Sequence, residues 1–270
     1  MSIQAGTVPP VPQELIALAH RLADAAGAII RRYFRTDFHI DGKADASPVT
    51  IADREAEQAI RAILAAERPD DGVHGEEFGS SAGTSGYTWV LDPIDGTKAF
   101  ATGRPLFGCL IGLIHNGKAV LGVLDQPINN ERWIGADGHG TTLNGKKVTV
   151  RPCPDIKAAN ISTTGPDMFD LDDYLRFYKW MKAETGFTLY GGDCYSYGQL
   201  AGGWLDGIVE AYMKLHDYCA LIPIVENAGG IITNWNGEPL SLALNYEAEE
   251  VVACGVKALH EKIWGVLRPR

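Results

Sequence analysis

No run of about 18 apolar residues occurs in this 270-residue chain, which excludes a transmembrane helix. The segment from Met1 to Pro12 has neither a basic stretch nor an apolar core. No secretory leader is therefore expected, and the chain reads as cytoplasmic. Cysteine is scarce. Cys109, Cys153, Cys194, Cys219 and Cys254 are odd in number, far apart and without C-x-x-C spacing, which argues against a disulfide framework and against a cysteine zinc site and for reduced thiols. His74, His115, His139 and His216 share no ligand spacing either, so zinc is not expected. Positive charge is also short: 24 Lys and Arg stand against 34 Asp and Glu, a formal charge of −10. Without a basic stripe, a nucleic-acid backbone is excluded as a partner. Small anions stay open, because clustered carboxylates bind divalent cations and those cations attract phosphate.

Apolar residues make up 46% of the chain, enough for one large domain or two joined halves. Leu15, Leu18, Leu22, Ile29 and Tyr33 recur at helical spacing, which predicts an amphipathic helix over residues 12–35. After a polar loop from Asp41 to Pro48, Thr50 reads as an N-cap with Asp53 three positions on, opening a helix to Ala66. The middle third reads as strands: Tyr87 to Leu91, Leu106 to Ile114 and Ala119 to Leu124, the last two joined by an Asn116-Gly117 hairpin signal, then two short ones near 131–136 and 147–150. Beyond Pro152 and Pro154 strands and helices alternate, as in an α/β arrangement, with a helix over 171–183, one from Tyr195 and one over 218–228. The seam falls near residues 150–157, dividing an N-terminal half, 1–150, from a C-terminal half, 151–270.

The chemistry concentrates in Trp89-Val90-Leu91-Asp92-Pro93-Ile94-Asp95-Gly96-Thr97. A strand delivers Asp92 at its carboxyl end, and Pro93 is expected to stop ladder pairing and stiffen a turn. Asp95 then faces the same place as Asp92, and the Ile94 carbonyl can add a neutral oxygen. Gly96 lets the backbone approach a bound group, and a helix opening at Gly96 and Thr97 offers free N–H groups to an anion. Hard oxygens beside an anion site suit Mg²⁺. An acidic turn that merely joins strand to helix is the bland alternative. Further acids are Glu76 and Glu77 in a Gly-flanked loop, Asp217 at a helix start, where it also reads as an N-cap, and Asp53, which capping alone would explain.

In order and spacing, Gly75-Glu76-Glu77, Asp92 to Thr97, His216-Asp217 and Glu226-Asn227-Ala228-Gly229-Gly230 together resemble the inositol monophosphatase family. Lys43 and Ser47 to Asp53 resemble its N-terminal motif, so the likeness spans nearly the whole chain. The resemblance implies a mixed α/β (α+β) fold, a layered αβαβα sandwich of the inositol monophosphatase and fructose-1,6-bisphosphatase type. It implies a Mg²⁺-dependent phosphatase of small phosphate monoesters with two or three ions per site, commonly a homodimer. Position by position, Glu76, Asp92 and the Ile94 carbonyl match the ligands of a first metal, and Asp92, Asp95 and Asp217 those of a second. Gly96 and Thr97 match the phosphate-binding positions, and Thr97 with Asp53 the pair that orients the attacking water.

For the substrate alcohol, Glu210 and Asp193 match positions lining the leaving-group pocket. Two carboxylates with few basic partners favour a substrate that is cationic away from its phosphate. Gly191-Gly192-Asp193-Cys194-Tyr195-Ser196-Tyr197-Gly198 and His216-Asp217-Tyr218-Cys219-Ala220 resemble the histidinol-phosphatase branch, which implies histidinol phosphate and histidine biosynthesis. Inositol-1-phosphate or a related sugar or nucleotide phosphate is the alternative substrate, and a catalytically silent metal-binding protein is the alternative of another class. Asp193 also reads as a helix cap, Glu210 as half of a surface pair, Tyr195 and Tyr197 as core residues or as a stacking platform, and Lys43 as an anion contact or a solvated lysine.

Overall fold

The computed structural model describes residues 9–36, 40–42, 48–169, 171–245 and 247–267. Lys43 and Ser47 of the N-terminal motif lie outside the described residues, as do the first eight positions.

Helix α1 (Gln13–Tyr33) opens after Pro12 and buries Leu15, Leu18, Leu22, Ala26 and Ile30, one residue every three or four. The short antiparallel strands β1 (Ile40–Gly42) and β2 (Pro48–Thr50) lead into α2 (Ile51–Glu67), where the predicted helix begins. Its buried stripe is Ala52, Asp53, Ala56, Glu57, Ile60 and Leu64. Two acids in an otherwise apolar stripe carry a desolvation cost that something must offset.

An eight-stranded sheet follows: β3 (Gly72–Gly75), β4 (Gly79–Ser81), β5 (Tyr87–Asp95) and, past helix α3 (Thr97–Ala101), β6 (Gly108–His115), β7 (Lys118–Gln126), β8 (Glu131–Ala136), β9 (Gly140–Leu143) and β10 (Lys146–Val148). Its order is β10-β9-β8-β7-β6-β5-β3-β4, antiparallel except for β3 beside β5. Asn116 (φ 49°) and Gly117 (φ 78°) make the tight turn expected between β6 and β7. The second sheet has five strands in the order β12-β11-β13-β15-β14. Its strands are β11 (Ile161–Thr163), β12 (Thr188–Tyr190), β13 (Gly207–Met213), β14 (Ile231–Asn234) and β15 (Glu249–Cys254). Helices α4 (Leu171–Glu184), α5 (Asp193–Ala201), α6 (Leu215–Tyr218), α7 (Leu221–Asn227) and α8 (Lys257–Leu267) complete the chain.

Alternation along single strands decides the layering. Trp89 and Leu91 of β5 join the core under α1 and α2, whereas Val90 between them faces the core that holds α5 and α7. In β13, Ile208 faces that same central core, and Val209 and Ala211 face a third one under α4 and α8. Helices, sheet, helices, sheet, helices: the αβαβα sandwich holds.

Two local expectations change, and three short strands are additional. Pro93 does not end β5, which continues to Asp95 through an irregularity in its pairing with β6 between Asp92 and Asp95. A bulge absorbs the missing N–H, so Asp92 and Asp95 both ride on one strand end. The single helix expected over 218–228 is two, α6 and α7, because Pro223 has no N–H for the Cys219 carbonyl. Strands β3, β4 and β9 span four residues or fewer and are rich in Gly, Ser and Thr, too short for periodicity to register.

Gly112, Gly122 and Gly135 stand side by side on β6, β7 and β8. A Cβ on Gly122 would lie 1.8 Å from the Ala220 carbonyl oxygen, and one on Gly135 would lie 2.2 Å from that of Pro223. This bare trough lets the start of α7 sit directly on the sheet, and it seats α6, which carries Asp217, over the end of β5.

Candidate active site

The cleft beyond the end of β5 encloses about 530 Å³ and is lined by Glu76, Asp92, Ile94, Asp95, Gly96, Thr97, Asp193 and Asp217, with Lys98, Thr164, Met168, Lys214 and His216 completing its wall. Eight of the ten residues expected at the site from the sequence thus meet in one cavity. Glu210 lines an adjoining recess of about 110 Å³ with Asp95, Asp193, Tyr212 and Asp217. Asp53 is buried under the cleft, close enough for its charge to act on Asp92.

Each acid is held by its own element. The Asp92 carboxylate accepts the N–H of Ile94 at 3.1 Å, curling the bulged strand end around itself. Asp95 accepts the N–H of Cys194 at 2.8 Å, which ties the first sheet to α5 across 99 positions of sequence. Asp217 is not the N-cap read from the sequence: Lys214 caps α6, and Asp217, the third residue inside it, accepts the Lys214 N–H at 2.7 Å while also lining the cleft. The Glu76 N–H donates to the Leu91 carbonyl at 3.1 Å. Gly96 has φ 86°, a conformation that favours glycine, and a Cβ there would crowd Asp193 and Phe107 at 3.2 Å. Helix α3 starts immediately after it. The first helical N–H to bond within it is that of Phe100, to Gly96, which leaves the amides of Thr97 and Lys98 outside the ladder. The Thr97 hydroxyl donates to the Ile94 carbonyl at 3.1 Å.

Candidate ligand atoms gather in two sets. One atom each from Asp92, Asp95 and Asp217 lie within 4.8 Å of one another, and so do one atom each from Glu76, Asp92 and His216. Burial, then Glu76, Asp95 and Asp217, push the Asp92 carboxyl well above the ordinary carboxylate range. Burial, then Asp193 and Asp217, do the same to Asp95. Carboxylates forced together in a dry site have every reason to bind a cation, and a hard-oxygen set of this kind fits a divalent one.

The pocket for the leaving group departs from the sequence reading. Glu210 is buried rather than paired at the surface, and accepts both the N–H of Thr164 at 3.0 Å and its hydroxyl at 2.8 Å. Burial pushes its carboxyl up to about 8 despite those two bonds. Asp193 is pushed up to about 6 by burial, while Arg104 and Lys98 draw it down, so basic partners are nearer than expected. Tyr197 is buried in the core and Tyr195 bonds Glu131 at 2.5 Å, so both belong to the core reading. The aromatic at the recess is Tyr212, 55% exposed and at φ 58° on the irregular end of β13. Cys194 and Cys219 are packing residues, their thiols pushed up by burial.

Two contributions escaped the sequence. Glu57, buried in α2, accepts the N–H groups of Glu77 and Phe78 at 2.9 and 3.3 Å and an N–H of Arg61 at 2.7 Å, bracing the turn that carries Glu76. Only its position in the apolar stripe of α2 could have flagged it. His74 and His216 stack with ring centroids 6.2 Å apart, 142 positions apart in sequence, and no spacing rule links them.

An acid-lined cleft between two stacked sheets, with the start of α3 in its wall, defines the class: a metal-dependent phosphatase fold. The chain belongs to the inositol monophosphatase family, whose model matches residues 11–269. It is 43% identical over 252 residues to a bifunctional phosphatase, IMPL2, chloroplastic, of Arabidopsis thaliana, covering 91% of this chain and 72% of that one. It is 35% identical over 223 residues to a histidinol-phosphatase of Chlorobaculum parvum, covering 82% and 86%. Among solved structures, an inositol monophosphatase from Zymomonas mobilis shares 46% identity with a TM-score of 0.83, covering 94% of this chain and 98% of that one. No described helix is long and apolar enough to cross a membrane.

Proposed function

We propose that this phosphatase is Mg²⁺-dependent and hydrolyses histidinol phosphate to histidinol. The observation that carries the substrate is the recess beside the ligand carboxylates, lined by Asp193, Glu210 and Tyr212. Histidinol offers an ammonium and an imidazole, and the imidazole gains its proton readily beside an acid. Relatives at 34–35% identity in three bacteria carry the histidinol-phosphatase name.

Glu76, Asp92 and the Ile94 carbonyl would hold one ion, and Asp92, Asp95 and Asp217 another, with Asp92 shared. Divalent cations held there supply an acidified water and neutralise the oxygens of the phosphate. The amides at Gly96 and Thr97 face the phosphate, and Asp53 with Thr97 orients the attacking water. Glu210 and Asp193 hold the alcohol end, so the leaving oxygen is presented in line. The Arg104 and Lys98 charges beside Asp193 weaken the cation preference there, and Glu210, raised to about 8, contributes charge only when a cation seated beside it draws its carboxyl down. A second reading, inositol-1-phosphate, is favoured by the 46% identity to a solved inositol monophosphatase.

Comparing kcat/KM on histidinol phosphate and inositol-1-phosphate tests the choice, in the native chain and in Asp193→Asn and Glu210→Gln. The expected result is a native preference for histidinol phosphate that falls at least about tenfold in Glu210→Gln, the loss of a buried charge-assisted contact. Equal losses on both substrates would remove the charge argument.

A further inference from the structure

We propose that His216 is a direct ligand of the divalent cation held by Glu76 and Asp92, which makes this a mixed nitrogen and oxygen site that prefers Mn²⁺ to Mg²⁺. The inference rests on the metal-binding reading of the cleft and adds a donor to it. His216 is buried to 9% exposure and forms part of the cleft wall. One of its ring nitrogens lies with a carboxylate oxygen of Glu76 and one of Asp92 inside a 4.8 Å span. Donors on opposite sides of an ion bound at about 2.1 Å stand roughly 4.2 Å apart, and neighbouring donors stand closer. The three atoms therefore need only side-chain adjustments to close on one ion.

The backbone divides the labour. His216 and Asp217 are consecutive on α6, yet His216 turns toward Glu76 and Asp92 while Asp217 joins Asp92 and Asp95. Asp92 belongs to both sets, so the two residues of α6 supply one donor to each. The His216 ring is also held in place. It stacks on His74 at 25° between the ring planes, and the His74 Nδ1 lies 2.7 Å from the Ser80 hydroxyl on the adjacent strand β4. The His216 Nε2 stands 3.5 Å from an Asp217 oxygen, a contact too long to hold the imidazole away from an ion. The stack restricts how the His216 ring can turn.

The chemical consequence is selectivity. Mg²⁺ gains little from an imidazole, whereas first-row transition ions take nitrogen donors well and bind more tightly from Mn²⁺ upward. An all-oxygen site would not separate Mn²⁺ from Mg²⁺ in the same way. The opposing possibility is that the imidazole only hydrogen-bonds Glu76 and touches no ion.

Electron spin-echo spectroscopy of the Mn²⁺-loaded protein, free of substrate, decides between these. The proposal expects a nitrogen coupling typical of a coordinated imidazole, altered by isotopic labelling of histidine and lost in His216→Phe. Calorimetric titration should show the Mn²⁺ over Mg²⁺ preference falling about tenfold in that variant, while the Mg²⁺ Kd moves by less than about threefold, as expected for loss of a single nitrogen donor. His216→Asn, smaller and polar, repeats the measurement should the Phe variant fail to fold. A native protein that binds Mn²⁺ without nitrogen coupling overturns the proposal and leaves the metal site standing. A coupling that survives both substitutions overturns it too. A native protein that binds neither ion overturns the metal reading itself.

Discussion

Glu57 accepts the backbone N–H of Glu77 at 2.9 Å, and through that bond a residue in the middle of a helix sets the position of the neighbouring Glu76. A Cβ on Gly75 would lie 2.0 Å from the same Glu57 carboxylate, so turn and helix are in contact with nothing between them. Glu57→Ala leaves two backbone donors and the Arg61 guanidinium without their acceptor. Each half-buried backbone donor left unpaired costs about 1 kcal/mol, and Arg61 keeps its bond to the Gly79 carbonyl. A lower melting temperature is expected together with weaker Mg²⁺ binding, whereas a change confined to stability would show that the turn holds Glu76 without Glu57.

The acid cluster ties stability to pH and to metal. Asp92, Asp95, Asp193 and Glu210 all have carboxyls raised in the folded protein, Asp193 to about 6 and Glu210 to about 8. Raised acids bind more protons folded than unfolded, so their contribution is present at low pH and lost as pH rises through the folded values. The metal-free protein should therefore melt at lower temperature at pH 8 than at pH 5.5. Mg²⁺ should restore more at pH 8, about 2.7 kcal/mol when present at a hundred times its Kd. A melting temperature that rises with pH in the absence of metal would contradict the clustering.

Asp92→Asn removes the donor shared by the two ligand sets. It should abolish most phosphate release while the metal-free protein melts no lower, since a buried like charge is removed along with the ligand. Phosphate release and thermal melting, each with and without Mg²⁺, check this. An active and Mg²⁺-responsive Asp92→Asn protein would contradict the shared role.

The glycine trough predicts a different kind of failure. Gly122→Ala drives a methyl group into the Ala220 carbonyl, 1.8 Å away in the native geometry, and overpacking a tight core costs about 1–3 kcal/mol or more. The displaced α7 should carry α6 with it, so Mg²⁺ affinity should fall as well as stability. Ala at Gly117, where nothing lies within 4 Å, is the control: its φ of 78° strains the turn and leaves the site untouched.

Some of this molecule is written in local sequence. The amphipathic spacing of α1, the Asn116-Gly117 turn and the strand that ends in Asp92-Pro93-Ile94-Asp95-Gly96-Thr97 follow from side-chain periodicity and from the conformations that Gly and Asn tolerate, which are properties of neighbours along the chain. The same local chemistry marked the Asp92 to Thr97 segment as a site for cation and phosphate, and the ordered motifs carried the family. Long-range geometry decided the rest. Pro93 became a bulge instead of a stop because β6 was there to pair on either side of it. Glu210 proved buried because Thr164, 46 positions away, supplies both its hydrogen bonds. Glu57 is marked in sequence only by its place in the apolar stripe of α2, and His216 only as the neighbour of Asp217. Their roles exist only where α2 meets β3 and where the bare glycines of β6, β7 and β8 let α6 descend onto the end of β5, because burial and donor spacing are set by which surfaces touch and not by the order of residues.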